Sequence, residues 1–161
     1  MHTPIIGTLG FILSVDKTQV LLIHRQGRTD DYHSGKFNGL GGKMEPHESV
    51  SQCMKREIFE EAGITCTKMS LRGTINWTDF GPHGEDWLGF IFLISDFSGT
   101  PYTTNEEGTL AWYPVDQLAK LVMWPGDRHF LPLVFDHDPR VFHGFMPYKN
   151  GQPVSWDFQR F

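Results

Sequence analysis

Apolar positions along the chain follow two periods. From Ile5 to Val15 and again from Gln19 to His24 the residues are β-branched or aliphatic, split by Asp16-Lys17, which predicts a hairpin. Between Glu48 and Gly63 there is no proline or glycine, and Val50, Cys53, Met54, Ile58 and Ala62 recur at helical spacing, predicting a helix of about four turns. Ile64 to Trp77 reads as strand with Gly73 at a bulge. A turn-rich stretch from Asp79 to Asp86 separates it from a strand over Trp87 to Phe97. Glu107 to Pro114 predicts a short strand, Val115 to Leu121 a short amphipathic helix, and Trp124 to Asp127 the start of a helix reaching about Phe135, distorted by Pro132. Val141–Tyr148 and Pro153–Phe161 flank Asn150-Gly151, a strong hairpin signal.

Strands interleaved with helices, with hairpins at both ends, predict an α/β (α+β) fold in which a mixed sheet is sandwiched between helices. No repeat, linker or low-complexity run divides the chain, so residues 1–161 are expected to form one domain. Two segments fall outside the periodic pattern. Arg25 to Lys36 is polar and irregular, consistent with a mobile loop. Phe-Asn-Gly-Leu-Gly-Gly-Lys at 37–43 carries Gly39, Gly41 and Gly42, which let a loop bend and approach a ligand closely.

Composition narrows the chemistry. A net charge of -5 and a pI near 5.9 exclude an electrostatic footprint for duplex nucleic acid. Cys53 and Cys66, the only cysteines in the sequence, have no metal-ligand or redox spacing and read as packing residues in a reducing compartment. The apolar run at the N-terminus is too short for a signal peptide or membrane span, so a cytoplasmic protein is expected. His83 sits in a glycine-flanked loop, and the histidines show no ligand pattern.

The predicted helix carries acids where it should be apolar. Glu57 and Glu61 fall inside its hydrophobic stripe and Glu60 on its edge, a spacing of i, i+3, i+4 that sets three carboxylates against one another. Arg56, at i, i+4 to Glu60, cannot neutralise all three. A hard divalent cation with oxygen ligands can, and Mg²⁺, with Mn²⁺ as a substitute, suits such a cluster. The alternative is a solvated acidic helix with one or two salt bridges.

Gly42, Glu48, Arg56, Glu57, Ile58, Glu60, Glu61, Gly63 and Ile64 match the pattern G-x5-E-x7-R-E-U-x-E-E-x-G-U, with U aliphatic, without departure. At average residue usage its Gly, Glu and Arg positions would coincide by chance about once in 10⁸ starts. The stretch resembles the Nudix box. The resemblance extends through residues 37–43, Asn105 to Pro114, Trp124 to Asp127 and the terminal hairpin, where the chain is similar to the MutT-type branch that acts on oxidised purine nucleoside triphosphates.

This resemblance implies a mixed sheet between helices and Mg²⁺-dependent cleavage of a nucleoside triphosphate to monophosphate and pyrophosphate, in the service of nucleotide-pool sanitation. It assigns metal binding to Glu57, Glu60, Glu61 and the Gly41 carbonyl, with Arg56 and Glu48 orienting them. Glu107 falls where related enzymes place a further carboxylate that binds metal or activates water, and Glu106 beside it competes for the role. The general base is open between Glu60 and Glu61, with Glu107 as rival.

Substrate contacts are expected at Asn38, Trp124, Asp127, Gly42 and Lys43. Asn38 reads a purine edge or holds an Asx turn. Trp124 stacks on a base or packs in the core, and Asp127 accepts from a guanine edge or caps the following helix. Gly126 stands where the mammalian relatives have a second aspartate, which puts acceptance of oxidised adenine in doubt. Other phosphoanhydride substrates remain as rivals: a dinucleoside polyphosphate, ADP-ribose or an RNA 5′ end. A rival of another class is a non-catalytic nucleotide sensor. The chain is expected to be a monomer or homodimer without membrane contact.

Overall fold

The computed structural model describes residues 1–26 and 32–161; the stretch 27–31 of the predicted polar loop lies outside the described residues. Strands β1 (Ile5–Leu13) and β2 (Gln19–Arg25) form the expected hairpin. Its turn places Lys17 at φ 65°, while the Asp16 carboxylate accepts from the backbone N–H and hydroxyl of Thr18. Side chains alternate across a strand, so Ile12, Leu21 and Ile23 face one side of the sheet and Phe11, Val20 and Leu22 the other. Both sides are covered, which is why these strands read as unbroken apolar runs.

The glycine-rich stretch at 37–43 is not the open loop its composition predicted. It forms β3 (Phe37–Asn38) against β2 and β4 (Leu40–Lys43) antiparallel to β1, with Leu9 opposite Gly41 and Thr8 opposite Gly42. The glycines serve close backbone approach, since a Cβ on Gly41 would run into the Thr8 carbonyl.

Helix α1 (Val50–Ala62) begins two residues after Glu48, because Ser49 caps it. β5 (Thr65–Phe80) and β6 (Glu85–Ser98) form a hairpin that extends into the predicted loop, leaving a tight turn at 81–84. The register of that hairpin slips between Leu71 and Gly73, at the predicted bulge, and leaves Arg72 out of the ladder. β7 (Thr104–Asn105) pairs with β8 (Gly108–Pro114), which is followed by the expected short helix, a 3₁₀ helix over Val115–Lys120.

α2 (Asp127–Phe135) precedes β9 (Phe142–Lys149), β10 (Gln152–Pro153) and β11 (Asp157–Arg160). The predicted Asn150-Gly151 turn joins β9 to β10 with φ values of 52° and 76°, the left-handed pair that a tight hairpin requires. Among the described residues the strands form one mixed sheet with the main path β10-β9-β5-β6-β1-β2-β8-β7. β1 runs parallel to β6 and β5 parallel to β9.

On one face of the sheet, Met54, Ile58 and Ala62 of α1 pack on Ile12, Ile23 and Ile94. On the other, Phe130, Leu131 and Val134 of α2 pack on Phe11, Ile75 and Ile91. Buried Arg72 donates to the carbonyls of Leu133, Val134 and Asp138, and Arg160 of β11 joins it on the Asp136 carboxylate. Two cations thereby satisfy the open carbonyl end of α2.

Candidate active site

Ser49 follows a turn at 46–47 and accepts from the Gln52 backbone N–H at 3.2 Å, while Gln52 Oε1 accepts from the Ser49 N–H at 2.7 Å. This capping box starts α1 one residue after the cap, which leaves Glu48 outside the helix beside its first turns. Arg56 reaches back to it with a forked pair of bonds, Nε to Oε2 at 2.9 Å and Nη2 to Oε1 at 2.7 Å. That pairing, with the Glu45 backbone N–H, holds the Glu48 carboxyl down near about 2.

Arg56 also donates to Glu57 Oε1 at 2.9 Å, to Glu60 Oε2 at 3.3 Å and to the Lys43 carbonyl at 3.2 Å. It therefore ties the helix to β4 and fixes two of the three glutamates. Glu57 is half-buried, and burial raises its carboxyl even against the pull of Arg56. It can lie against β4 because residue 42 has no side chain: a Cβ there would sit 2.5 Å from the Glu57 carboxyl carbon. Glu60 is exposed.

Glu61 is the most confined of the set. The Gly41 N–H donates to its Oε1 at 3.4 Å, and burial together with the charges of Glu107 and Glu57 pushes its carboxyl up to about 9. Glu107 comes from the β7–β8 turn. It is half-buried, whereas Glu106 is exposed, and it pairs with Arg25 Nη1 at 2.8 Å. Asn105 ties this turn to the helix: its Nδ2 donates to the Glu61 carbonyl at 2.9 Å and its Oδ1 accepts from the Glu107 N–H at 2.8 Å.

Glu57, Glu60, Glu61 and Glu107 line one cavity of about 560 Å³. Among the described residues no three acidic, His or Cys side chains converge as a ready ligand group, because Glu57 is turned onto Arg56 and Glu107 onto Arg25. The donor set is nonetheless all oxygen, and its most buried carboxylate faces two like charges. These residues fit a hard divalent cation, which would hold Glu61 ionised.

A second cavity, of about 200 Å³, lies on the other face of β4. Gly7 and Gly89 leave its floor bare, Trp77, Phe80, Trp87 and Trp124 wall it, and Asn38 and Asp127 bring polar groups to it. Asn38 Nδ2 is buried with no partner among the described residues. Asp127 is the first residue of α2 and makes no side-chain capping bond; Gly126 holds the cap position. Burial pushes the Asp127 carboxyl up to about 7, offset in part by the Trp124 backbone N–H.

Trp124 is only 7% exposed, so it is at once a cavity wall and part of the core. Its indole N–H donates to His33 Nδ1 at 2.6 Å, Lys36 Nζ stands 4.4 Å from its ring, and Tyr32 lies tilted at 4.8 Å. Gly42 lines this cavity; Lys43 does not, its ammonium instead standing 5.6 Å from the Trp87 ring.

Gly126 has no room for a second aspartate. Its N–H donates to the Tyr148 hydroxyl at 3.0 Å, and a Cβ would lie 2.5 Å from that oxygen and collide with Met146 Sδ. Arg25, Asn105, Trp77, Phe80 and Trp87 are brought to the site without having been singled out from the sequence. Asn105, two residues before Glu107, carries an Asx-turn signal. The others sit in strands with nothing local to mark them.

Two bonds join the cavities. Arg25 lines the aromatic one and binds Glu107 of the acidic one; Gly41 lines the aromatic one and donates to Glu61 of the acidic one.

Comparison with known proteins gives the family and the fold. The NUDIX domain profile matches residues 5–134. The Nudix hydrolase YvcI of Bacillus subtilis is 34% identical over 132 residues, covering 81% of this chain and 79% of its own. The oxidized purine nucleoside triphosphate hydrolase of Mus musculus is 32% identical over 134 residues, 83% of this chain and 81% of the mouse protein. Among solved structures, the mutator MutT protein from Bacillus halodurans superposes with a TM-score of 0.81 at 28% identity, over 96% of this chain and 97% of that one.

Proposed function

This chain belongs to the Nudix hydrolase family, whose members act on phosphoanhydride bonds in nucleotides, and from that premise we propose that it hydrolyses an oxidised purine nucleoside triphosphate, 8-oxo-dGTP foremost, to the monophosphate and pyrophosphate. One observation carries the reading. An acidic cavity fit for a cation and phosphates adjoins an aromatic cavity that presents the Asn38 Nδ2, unpaired among the described residues, and the Asp127 carboxyl, with Arg25–Glu107 and Gly41–Glu61 linking the two. The similarity to the mouse enzyme points the same way.

Glu57, Glu60 and Glu61, with Glu107 and the Gly41 carbonyl, are the residues that would hold Mg²⁺. When bound, the ion supplies charge neutralisation of the phosphoryl oxygens and acidifies the attacking water. The protein's own part is positional. Arg56, braced by Glu48, holds Glu57 and Glu60 at the wall of the cavity they line. Glu61 stands at the boundary between the cavities, where a proton acceptor near the scissile phosphate is needed, and Glu107 is the alternative acceptor. The aromatic walls exclude water from the base, while Asn38 and Asp127 read its edge.

A panel of 8-oxo-dGTP, dGTP, 8-oxo-dATP, ADP-ribose and a dinucleoside polyphosphate, ranked by kcat/KM, tests the proposal. We expect 8-oxo-dGTP to lead, with pyrophosphate as product, EDTA to stop turnover and Mg²⁺ to restore it. ADP-ribose or the dinucleoside leading the panel, or turnover that EDTA leaves intact, would overturn it.

A further inference from the structure

Four buried side-chain polar atoms have no partner among the described residues, and two of them, Asn38 Nδ2 and Trp87 Nε1, belong to residues that line the aromatic cavity. An indole N–H only donates, so neither a change of tautomer nor rotation of a hydroxyl can relieve it. Buried and unpaired, it is a cost the fold bears unless something placed in the cavity accepts from it.

Trp87 is held where it stands. It pairs across the sheet with Ile5 on one side and Trp77 on the other, at the head of the parallel β1–β6 ladder. Its ring lies over Gly7, where a Cβ would meet Cζ3 at 3.1 Å, and the Lys43 ammonium stands over the ring. The ring therefore cannot simply swing out to give its N–H to water.

We infer that Trp87 is a specificity-determining residue whose indole N–H donates to an exocyclic carbonyl oxygen of the base held in the aromatic cavity. This rests on the proposed function, since it takes the cavity to be the base pocket. The other polar groups complete the match. Asn38 offers a second donor, and Asp127 faces the N–H groups that flank a purine carbonyl. Unoxidised adenine, with an amino group at C6 and no C8 carbonyl, leaves the Trp87 N–H unpaired and is selected against. A site built to hydrogen-bond one group rejects an analogue lacking it far more sharply than an apolar pocket rejects a change of size.

Calorimetric binding of nucleoside monophosphates separates this contact from turnover and from phosphate chemistry. Trp87→Phe keeps an aromatic ring and deletes the donor; benzothienylalanine at position 87 keeps the whole outline, with sulfur in place of N–H. Both are expected to weaken 8-oxo-dGMP by roughly five- to tenfold, the worth of one neutral hydrogen bond, and to leave dAMP unchanged. An equal loss for dGMP identifies the C6 carbonyl as the acceptor. A loss shared only with 8-oxo-dAMP identifies the C8 carbonyl. Both patterns uphold the inference.

Uniform weakening of every ligand, or none, overturns it. If Asn38→Ala weakens binding while both Trp87 replacements bind as wild type, this inference alone falls. If the wild type binds all four monophosphates alike and Asn38→Ala changes nothing, the base-pocket reading falls and takes this contact with it.

Discussion

Asp127 and Glu61 are both buried carboxyls with raised proton affinity, but the causes differ. Burial alone raises Asp127, to about 7 from an ordinary 3.8, and no cation among the described residues offsets it. The folded protein therefore holds this proton over a range in which the unfolded chain has released it, so stability should fall as pH rises from about 4 towards 7 and level off above. Asp127→Asn keeps the shape and removes the ionisation. Its urea stability should exceed wild type at about pH 8, by on the order of 1–3 kcal/mol, and approach it at about pH 4. A variant whose pH profile parallels wild type would show that Asp127 titrates normally. Glu61 adds like charges to burial, and its relief is the expected metal. Glu61→Gln should fold with an unchanged or higher Tm yet lose more activity than the roughly 10–100-fold that outer residues contribute. Retained turnover would remove Glu61 from the metal site.

Helix α1 shows how one element serves both packing and chemistry. Its Met54, Ile58 and Ala62 are fully buried, and Glu57 and Glu60 beside them are held at the edge of that apolar face by a single arginine. The capping box and Gly63, at φ 71°, set both ends of the helix, and this register decides that Glu48 lies where Arg56 can grip it with two bonds. Lysine carries the charge but not the fork. Arg56→Lys should therefore lower Mn²⁺ affinity by about 10–100-fold, measured by direct titration, while far-UV dichroism stays unchanged. An unaltered affinity would reduce Arg56 to a surface ion pair. Val50, counted on the predicted stripe, is only half-buried because it opens the helix where α1 leaves the sheet.

Across the whole molecule, the aromatic cavity depends on contacts between segments far apart in sequence. Gly126 meets Met146 and Tyr148 of β9, both buried. Gly126→Asp should lower stability by about 1–3 kcal/mol in urea unfolding, since the core must shift to admit it. Met146→Ala should recover part of that loss, and full stability of the single variant would show that β9 yields easily. Among the described residues no helix is long and apolar enough to cross a membrane. Spacing alone determined α1, its inward Glu57 and Glu61 with Glu60 at the edge, the two hairpins and the mixed sheet between helices, because these follow from local periodicity, turn chemistry and a motif whose members lie within a few turns of one another. Tertiary structure decided the rest. It turned the 37–43 stretch into strands, since their pairing with β1 and β2 is invisible to a window of neighbouring residues. It brought Arg25 to Glu107 and Asn105 to Glu61, and it set Trp124 at once in the core and in the wall of the aromatic cavity. It also gathered Trp87, Asn38 and Asp127 around one cavity, because strand order, not sequence distance, determines which side chains face one another across a sheet.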